Sequence, residues 1–279
     1  MASTPTEDAP APLGPAALQR VPGVLGRIAR ERAVEYERTE TPPTPPAEAA
    51  GRVGRLRDVL ARPGLSVVAE IKRGSPSAGA LADLDPVEAA RAYRRGGAAA
   101  LSVLTEPRHF GGELAHLRSV ARQVDLPAMR KEFVVHPAQV AEAAEAGAAA
   151  VLLIAAVLGE RLAAYRAWAA AWGLDALVEV HDEAELGLAL EADTEILGVN
   201  NRDLRTLDVD LETAPRLLRR ARDGGYAGRT VAESGYERGA QLRELRGVAD
   251  GVLIGTALAG SGDLEAALRR LRTEMEDPT

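Results

Sequence analysis

The sequence contains no cysteine. This absence excludes disulfide bonds, a thiolate nucleophile and any zinc or iron–sulfur site that relies on cysteine ligands. Histidine is also scarce, with four residues in the chain, and none of the four shows the spacing of a metal-binding pair. We therefore expect no metal site. A chain without cysteine also agrees with the reducing environment of the cytoplasm, where we expect this protein.

Aromatic residues make up only 3% of the chain, against 46% for all hydrophobic residues. The core must therefore be built from Ala, Val, Leu and Ile. The longest apolar run, residues 148–158, is too short for a membrane helix, which needs roughly 20 residues. The acidic residues 1–12 do not resemble a secretory signal. The net charge of −7 disfavours nucleic acid as a partner, so we expect a soluble protein without membrane or nucleic-acid contacts.

The first part of the chain differs from the rest in composition. Residues 1–15 are rich in Pro, Ala and acids, which is typical of disorder. Apolar residues at helical spacing predict a helix over 16–38, and a second helix is predicted over 47–61. We therefore divide the chain into an N-terminal extension, residues 1–60, and a catalytic domain, residues 61–279.

From residue 65 onward, short apolar runs alternate with Ala-, Leu-, Glu- and Arg-rich helical stretches. Caps support the pattern, since Asp85-Pro86 opens one of these helices and Gly96-Gly97 ends it. Eight strand–helix units imply parallel strands, and eight strands favour a closed (β/α)8 TIM barrel of the α/β class over an open sheet. The predicted strands are residues 66–71, 98–104, 127–130, 149–154, 176–180, 196–199, 230–232 and 251–254.

Several predicted strands end in charged residues. Strand alternation places Glu70 and Lys72 on one face at the end of the first strand. The third strand ends with Lys131 on the same face as its apolar residues, and Glu179 takes that place on the fifth. Active sites of barrels lie at the carboxyl ends of the strands. Opposed Lys and Glu side chains there can shift each other's pKa and act as acid and base.

The same alternation turns Arg130 and Glu132 away from the barrel axis. A single charged residue at a strand end is more often an exposed rim residue than a functional one. We therefore expect Arg130 and Glu132 to lie on the solvated rim of the barrel.

The last two strands are followed by small residues. Ser234-Gly235 and Gly255-Thr256 leave room for backbone N–H groups to approach an anion, and a short helix over residues 256–259 is predicted to begin there. Helix N-termini and oriented N–H groups bind phosphate, and barrels often bind it after strands seven and eight. No nucleotide-binding glycine motif occurs, so we expect a phosphorylated small molecule.

The strand ends also resemble the signature sequences of the indole-3-glycerol phosphate synthase family. An example is Ala69-Glu70-Ile71-Lys72 at the end of the first strand. The resemblance spans residues 21–271, and the signatures occur in the family's order on the predicted strands. The matching stretches are residues 69–77, 101–106, 110–112, 130–133, 177–181, 198–204, 232–235 and 253–256.

The resemblance implies a reaction. The substrate would be 1-(2-carboxyphenylamino)-1-deoxyribulose 5-phosphate, converted to indole-3-glycerol phosphate, CO₂ and water in tryptophan biosynthesis, with no cofactor. Lys131 would be the general acid for ring closure, and Glu179 the second acid/base, needed for dehydration. Glu70 would orient the lysines, while Asn200 and Ser234 would hold hydroxyl and carboxylate groups of the substrate.

The resemblance also implies substrate-binding residues at both anionic ends of the substrate. Arg202 and Ser75 would face the carboxylate, and Phe110 would help to form the pocket for the aromatic ring. The remaining substrate-binding positions are Lys72, Gly235, Gly255 and Thr256 at the phosphate end, together with Glu233.

Three other functions compete with this interpretation, two of them enzymatic and one non-catalytic. A phosphate-binding isomerase barrel would be expected to use Cys/Asp or Asp/Asp pairs, which the strand ends lack. An aldolase that forms a Schiff base on Lys131 or Lys72 remains open. A non-catalytic paralogue would bind a phosphorylated metabolite and a protein partner, but the full set of charged strand ends argues against it.

The extension leaves two arrangements open. Its first helix either folds over the mouth of the barrel and contacts substrate, as the family resemblance suggests, or packs on the side of the barrel. The sequence itself does not give the oligomeric state; the family resemblance implies a monomer, with association with other enzymes of tryptophan biosynthesis as a further expectation.

Overall fold

A closed barrel of eight parallel strands forms the centre of the computed structural model, which describes residues 9–40, 42, 44–75, 79–80 and 84–276. Each strand pairs with the strands before and after it in the chain, and the first pairs with the last. The predicted TIM barrel is confirmed. The strands are β1 (Ser66–Ile71), β2 (Ala100–Leu104), β3 (Ala128–Lys131), β4 (Ala150–Ile154), β5 (Asp175–Val180), β6 (Ile196–Asn200), β7 (Arg229–Glu233) and β8 (Gly251–Ile254).

Helices surround the barrel and supply the crossovers that parallel strands require. The α-helices are α1 (Gly23–Tyr36), α2 (Arg55–Leu60), α3 (Pro86–Gly96), α4 (Pro107–Phe110), α5 (Leu114–Gln123), α6 (Pro137–Glu145), α7 (Ala155–Leu158), α8 (Leu162–Ala171), α9 (Glu183–Glu191), α10 (Thr213–Asp223), α11 (Gly239–Arg243), α12 (Thr256–Ala259) and α13 (Leu264–Glu276). The described helices include none that is long and apolar enough to cross a membrane.

The cap predicted for α3 is present. Asp85 accepts hydrogen bonds from the backbone N–H groups of Val87 and Glu88, each 2.9 Å away, and Pro86 is the first helical residue. The carboxylate therefore pairs two donors that have no partner within the helix.

The predicted helix over residues 16–38 is in fact two helices. A 3₁₀ turn, Ala17–Arg20, is followed by α1, and Pro22 stands at the boundary as the N-cap residue of α1. Proline has no N–H and restricts the residue before it to extended conformations, so a continuous α-helix cannot pass through this point. The sequence pattern was right about helical structure and wrong about its continuity.

The predicted helix over 47–61 is also divided, into the 3₁₀ turn Ala49–Arg52 and α2. The break falls at Gly54, whose φ of +109° lies outside the helical region. The carboxylate of Asp175 accepts hydrogen bonds from the N–H groups of Gly54 (2.7 Å), Leu56 (2.7 Å) and Arg57 (3.1 Å). A residue at the amino end of β5 thus caps the amino end of α2 and attaches this helix to the bottom of the barrel.

The core is aliphatic, as the composition predicts. Inside and around the barrel, Val, Leu, Ile and Ala residues are almost fully buried. The largest buried aromatic, Trp168, packs edge-on against Trp172 with ring centroids 6.0 Å apart, between the helices and the sheet. The two tryptophans therefore serve the outer layer, and the barrel interior is left to branched aliphatic side chains.

Asp175→Ala should destabilise the fold without affecting the mouth of the barrel. The substitution leaves three backbone N–H groups at the start of α2 without their acceptor, so we expect the free energy of unfolding to fall by about 2–4 kcal/mol. Urea denaturation measures this loss, and Asp125→Ala, at an exposed carboxylate before β3, is the control. Equal stabilities of the two variants would contradict the capping role.

Candidate active site

The carboxyl ends of the strands surround one cavity of about 410 Å³. Its lining combines charged residues from the strand ends with apolar residues from the loops and from α1. Most of the residues predicted from the sequence line it. They are Glu70, Lys72, Phe110, Lys131, Glu179, Asn200, Arg202, Ser234, Gly235, Gly255 and Thr256.

Two predicted residues stand apart from this lining. Glu233 does not contact the cavity and instead lies behind Lys131. Ser75 belongs to a two-residue strand that pairs with Gly79–Ala80 after β1. The side chain of Ser75 is outside the described part of the structure.

Lys131 is held between two buried carboxylates. Its Nζ donates to Glu179 Oε2 at 3.1 Å and to Glu233 Oε2 at 3.0 Å. The two glutamate side chains are 2% and 1% exposed, so little solvent reaches either carboxyl group. The cation comes from β3 and the anions from β5 and β7, which means that only the closed barrel brings all three together.

A glycine makes room for this arrangement. Gly198 on β6 pairs in register with Glu179 on β5, and β6 itself lies between β5 and β7. A Cβ atom at position 198 would overlap Glu233 Oε1 and a methyl group of Leu177. The missing side chain therefore lets the carboxylate of β7 reach across to the lysine of β3.

The three groups have strongly perturbed pKa values. Burial lowers the pKa of Lys131, but the carboxylates of Glu233, Glu179 and Glu70 outweigh it, so the pKa lies above the usual range and Lys131 stays an ammonium. Burial raises the pKa of Glu179, but the positive charges of Lys131 and His181 outweigh burial and hold that pKa well below its usual range. For Glu233, burial and the charge of Glu179 prevail over Lys131 and raise the pKa to about 7.

A second cluster lies at the end of β1. Lys72 Nζ is 3.3 Å from Glu70 Oε1 and donates to Thr256 Oγ1 at 2.9 Å. Thr256 is the first residue of α12, and the predicted helix over residues 256–259 is present with these bounds. A lysine is thus placed beside the loop after β8, next to Gly255, where the sequence predicts a phosphate.

The ends of β6 and β7 complete the polar wall. Asn200 Oδ1 accepts the backbone N–H of Arg202 at 3.0 Å, and Arg202 donates one guanidinium N–H to the carbonyl of Leu207 at 2.8 Å. Ser234 has a φ of +65°, a conformation that costs a non-glycine residue energy and tends to occur at functional sites. These contacts hold an arginine and a serine at the rim of the cavity.

Apolar residues close the other side of the cavity. Phe110 and Phe133 pack with ring centroids 5.9 Å apart, and both line the cavity. Val24, Leu25 and Ile28 of α1 line it as well. The extension therefore folds over the mouth of the barrel, as in the first of the two arrangements that the sequence left open. The substrate contact that belongs to that arrangement stays a prediction. These apolar side chains would surround an aromatic ring of a substrate.

Arg130 and Glu132 do not lie on a solvated rim, and that prediction was wrong. Their exposures are 2% and 1%. Glu132 Oε2 accepts hydrogen bonds from the guanidinium of Arg32 on α1 at 3.0 Å and from Thr105 Oγ1 at 2.9 Å. The guanidinium of Arg130 lies 3.4 Å from the same oxygen. The outward alternation is real, but α1 covers these side chains and pairs with them, and Glu132 also reaches the cavity.

Two more ion pairs attach α1 to the segment that carries Phe110. Glu31 contacts His109 Nε2 at 2.7 Å, and Glu35 contacts Arg108 at 2.7 Å. These pairs are partly exposed, so each contributes little stability alone. Together with the buried Arg32–Glu132 pair they hold α1 and α4 as one cover over the cavity.

Sequence reasoning missed several residues of this site. The α1 contacts and Glu132 belong to tertiary packing that strand alternation does not encode. His181, treated only as a histidine without metal spacing, lies 3.3 Å from Glu179. Its position two residues after Glu179, on the same strand face, was the available signal. Within the described ranges, no group of three or more His, Asp or Glu side chains is placed to hold a metal ion.

Comparison with known proteins gives the family. The family model described as indole-3-glycerol phosphate synthase matches residues 30–271. The indole-3-glycerol phosphate synthase of Deinococcus radiodurans is 54% identical over 92% of this chain and 97% of its own length. The chain belongs to the indole-3-glycerol phosphate synthase family. The indole-3-glycerol phosphate synthase of Methanopyrus kandleri is 44% identical over 89% of this chain and 96% of its own length.

The family resemblance drawn from the strand ends is confirmed, and with it the enzyme class, a carboxy-lyase of tryptophan biosynthesis. Among solved structures, a thiamine phosphate pyrophosphorylase from Pyrococcus furiosus matches with a TM-score of 0.56 and 20% identity, over 79% of this chain and 98% of its own. At that identity the likeness concerns the barrel fold alone.

Gly198→Ala should impair the site while the barrel stays folded. The added methyl group must displace the carboxylate of Glu233, so Lys131 loses one partner and we expect kcat/KM to fall at least about tenfold. Gly187→Ala is the matched control, because that helical glycine has no neighbour within 4 Å. Steady-state kinetics of both variants measure kcat/KM. An unimpaired Gly198→Ala enzyme would contradict the role given to Gly198.

Glu233 should make the stability depend on pH. Its pKa rises from 4.5 to about 7 on folding, so its stabilising contribution is complete below pH 4.5 and is lost as the pH rises through 7. In Glu233→Gln this loss, about 3 kcal/mol for the buried group, should vanish. Urea denaturation across that pH range measures it. The same pH dependence in both proteins would show that Glu233 titrates normally.

Proposed function

We propose that this barrel mouth closes the indole ring, converting 1-(2-carboxyphenylamino)-1-deoxyribulose 5-phosphate to indole-3-glycerol phosphate, CO₂ and water. The observation that carries the proposal is the buried ammonium of Lys131 between Glu179 and Glu233, facing a cavity that also holds Lys72 and Arg202. The identity to curated synthases over nearly the whole chain supports the same reaction.

Lys131 is the general acid of ring closure in this proposal. As the aromatic carbon bonds to C2 of the ketose, the C2 oxygen gains negative charge and takes a proton from the Lys131 ammonium. Loss of CO₂ then restores the aromatic ring. Glu233, which holds a proton up to about pH 7 and lies 3.0 Å from Nζ, can return a proton to Lys131.

Glu179 serves the dehydration step. The hydroxyl at the former C2 takes a proton from the Lys131 ammonium, which Glu233 has reprotonated, and leaves as water. A base removes the proton from the neighbouring carbon, so that the second double bond of the indole forms. The carboxylate of Glu179, held ionised by Lys131, is suited to accept that proton. Glu70 holds Lys72 at 3.3 Å and adds negative charge near Lys131.

Two anionic groups on the substrate explain the cations of the cavity in an acidic protein. We assign Lys72, Gly235, Gly255 and Thr256 to the phosphate, because Lys72 and the start of α12 meet there. The remaining assignments follow the same division of the cavity. Arg202 and Ser75 bind the carboxylate, Phe110 contacts the ring, Asn200 and Ser234 bind hydroxyl or carboxylate oxygens, and Glu233 supports substrate through Lys131.

The choice of lysine at these positions supports the proposal. Lys72 and Lys131 are the only two lysines of the chain, and all its other Lys-or-Arg residues are arginine. Arginine presents a charge as well as lysine does, but its guanidinium does not give up a proton under protein conditions. A sequence that uses arginine everywhere else keeps lysine in the one cavity where a proton must be transferred.

A Schiff-base aldolase is the alternative that shares these residues. An amine attacks a carbonyl only when it is neutral, and the carboxylates around Lys131 raise its pKa above the ordinary range. This argues against Lys131 as a nucleophile, and borohydride trapping with substrate should leave it unmodified.

We also propose a monomeric cytoplasmic enzyme in which residues 1–60 act as a cover for the barrel domain, residues 61–279. The large hydrophobic residues exposed in the described part of the chain are scattered singly, so no apolar patch calls for a second copy. Association with other tryptophan-pathway enzymes is part of the same proposal. The absence of cysteine agrees with a reducing compartment.

Lys131→Ala should slow indole formation strongly. We expect kcat to fall about 10³-fold, the contribution of a positioned acid. Indole fluorescence after adding the carboxyphenylamino substrate measures the rate. Lys131→Arg, which keeps the charge but holds its proton, should be similarly impaired, and Arg219→Ala, at an exposed arginine of α10, is the control.

The outcomes of this assay are distinct. No signal from the folded wild-type protein would overturn the proposed function and leave a phosphate-binding barrel of other chemistry. Equal signal from wild type and Lys131→Ala would keep the function and remove Lys131 as its acid.

A further inference from the structure

One imidazole bridges two carboxylates at the end of β5. His181 Nε2 lies 3.3 Å from Glu179 Oε1, and Nδ1 lies 2.8 Å from Glu185 Oε2. The His181 side chain is 12% exposed. It therefore stands behind Glu179, on the carboxylate oxygen that Lys131 does not contact.

The start of α9 fixes the orientation of this imidazole. Asp182 caps the helix by accepting the N–H of Glu185 at 3.0 Å. The Glu185 carboxylate does not return to the N-cap residue. It reaches one residue further and accepts the backbone N–H of His181 at 2.9 Å, along with its contact to Nδ1. Two contacts to one carboxylate leave the ring little freedom to turn away from Glu179.

The surrounding charges favour the imidazolium form. Burial lowers the pKa of His181, but the carboxylates of Glu179 and Glu185 outweigh it and raise the pKa to about 10. The other charged groups nearby are Lys131, which faces Glu179 from β3, and Asp203 after β6, which is paired with Arg205 at 2.6 Å. His181 is therefore a cation at neutral pH.

This cation makes the two carboxylates around Lys131 unequal. Glu179 has a positive partner on each oxygen, Lys131 on Oε2 and His181 on Oε1. Among the described residues, Glu233 forms an ion pair with Lys131 alone. When two nearby buried carboxylates compete for one proton, the proton goes to the one with less positive charge around it.

We propose that His181 is a positioning residue that keeps Glu179 as the proton-accepting carboxylate and leaves Glu233 as the carboxyl group that holds the proton. The inference rests on the proposed function in assigning Glu179 to proton transfer, and it adds the residue that assigns the two roles. Glu185 takes part through His181, because it holds the ring and supports its charge.

His181→Gln tests the proposal through the pH dependence of the reaction. Glutamine keeps a polar side chain but carries no charge, so Glu179 loses one of its two cations. We expect the acidic limb of the kcat/KM profile to move to higher pH by about one unit or more. His116→Gln, at a half-buried histidine of α5 that does not line the cavity, should leave the limb in place.

A spectroscopic measurement on the free enzyme gives an answer independent of turnover. In ¹⁵N-histidine-labelled wild-type protein, the His181 resonances, assigned with His181→Gln, should show both ring nitrogens protonated well above the ordinary pKa of 6.5. Glu185→Gln should lower that pKa, and it also tests the proposal if His181→Gln does not fold.

An ordinary titration of His181, or an acidic limb that His181→Gln does not move, would overturn the inference while wild-type turnover still upheld the proposed function. Absence of wild-type turnover would instead overturn the function, and the NMR titration would still report on His181.

Discussion

This site depends on one interaction, the contact of the buried Lys131 ammonium with the carboxyl groups of Glu179 and Glu233. Each of these ionisable groups would be costly to bury in its charged form alone, and removing one partner leaves the others uncompensated. Lys131, Glu179 and Glu233 come from three different strands, so the ion triad forms only when the barrel closes. The absent side chain of Gly198 gives the third member access. Fold and chemistry therefore share one geometric requirement.

Much of the barrel and of its active site could be predicted from the sequence. Alternating apolar and helical runs indicate eight strands, and their bounds agree with the structure to within two residues. Period-two alternation also places Lys131 and Glu179 on the face that points into the cavity. Both predictions rest on local rules, the pleat of a strand and the parallel crossover, which act within a few residues and do not need the tertiary structure.

What the sequence could not supply depends on contacts between distant segments. The burial of Glu132 comes from Arg32, a hundred residues earlier, on a helix whose position over the mouth no periodicity encodes. The breaks at Pro22 and Gly54 have local causes that the sequence does show. The prediction followed the amphipathic spacing instead and so drew continuous helices. The role of Gly198 emerges only when β7 lies beside β6, because its empty Cβ position matters to a side chain on the next strand.

The measurement that tests the ion triad most directly is a pH titration of ¹⁵N-lysine-labelled protein by NMR. With two lysines in the chain, Lys131→Arg assigns both side-chain signals. The account predicts that Lys131 Nζ remains an ammonium beyond its ordinary pKa of 10.5 and shifts in one step near pH 7 as Glu233 ionises. An amine that deprotonates below 10.5, or a signal without that step, would contradict it.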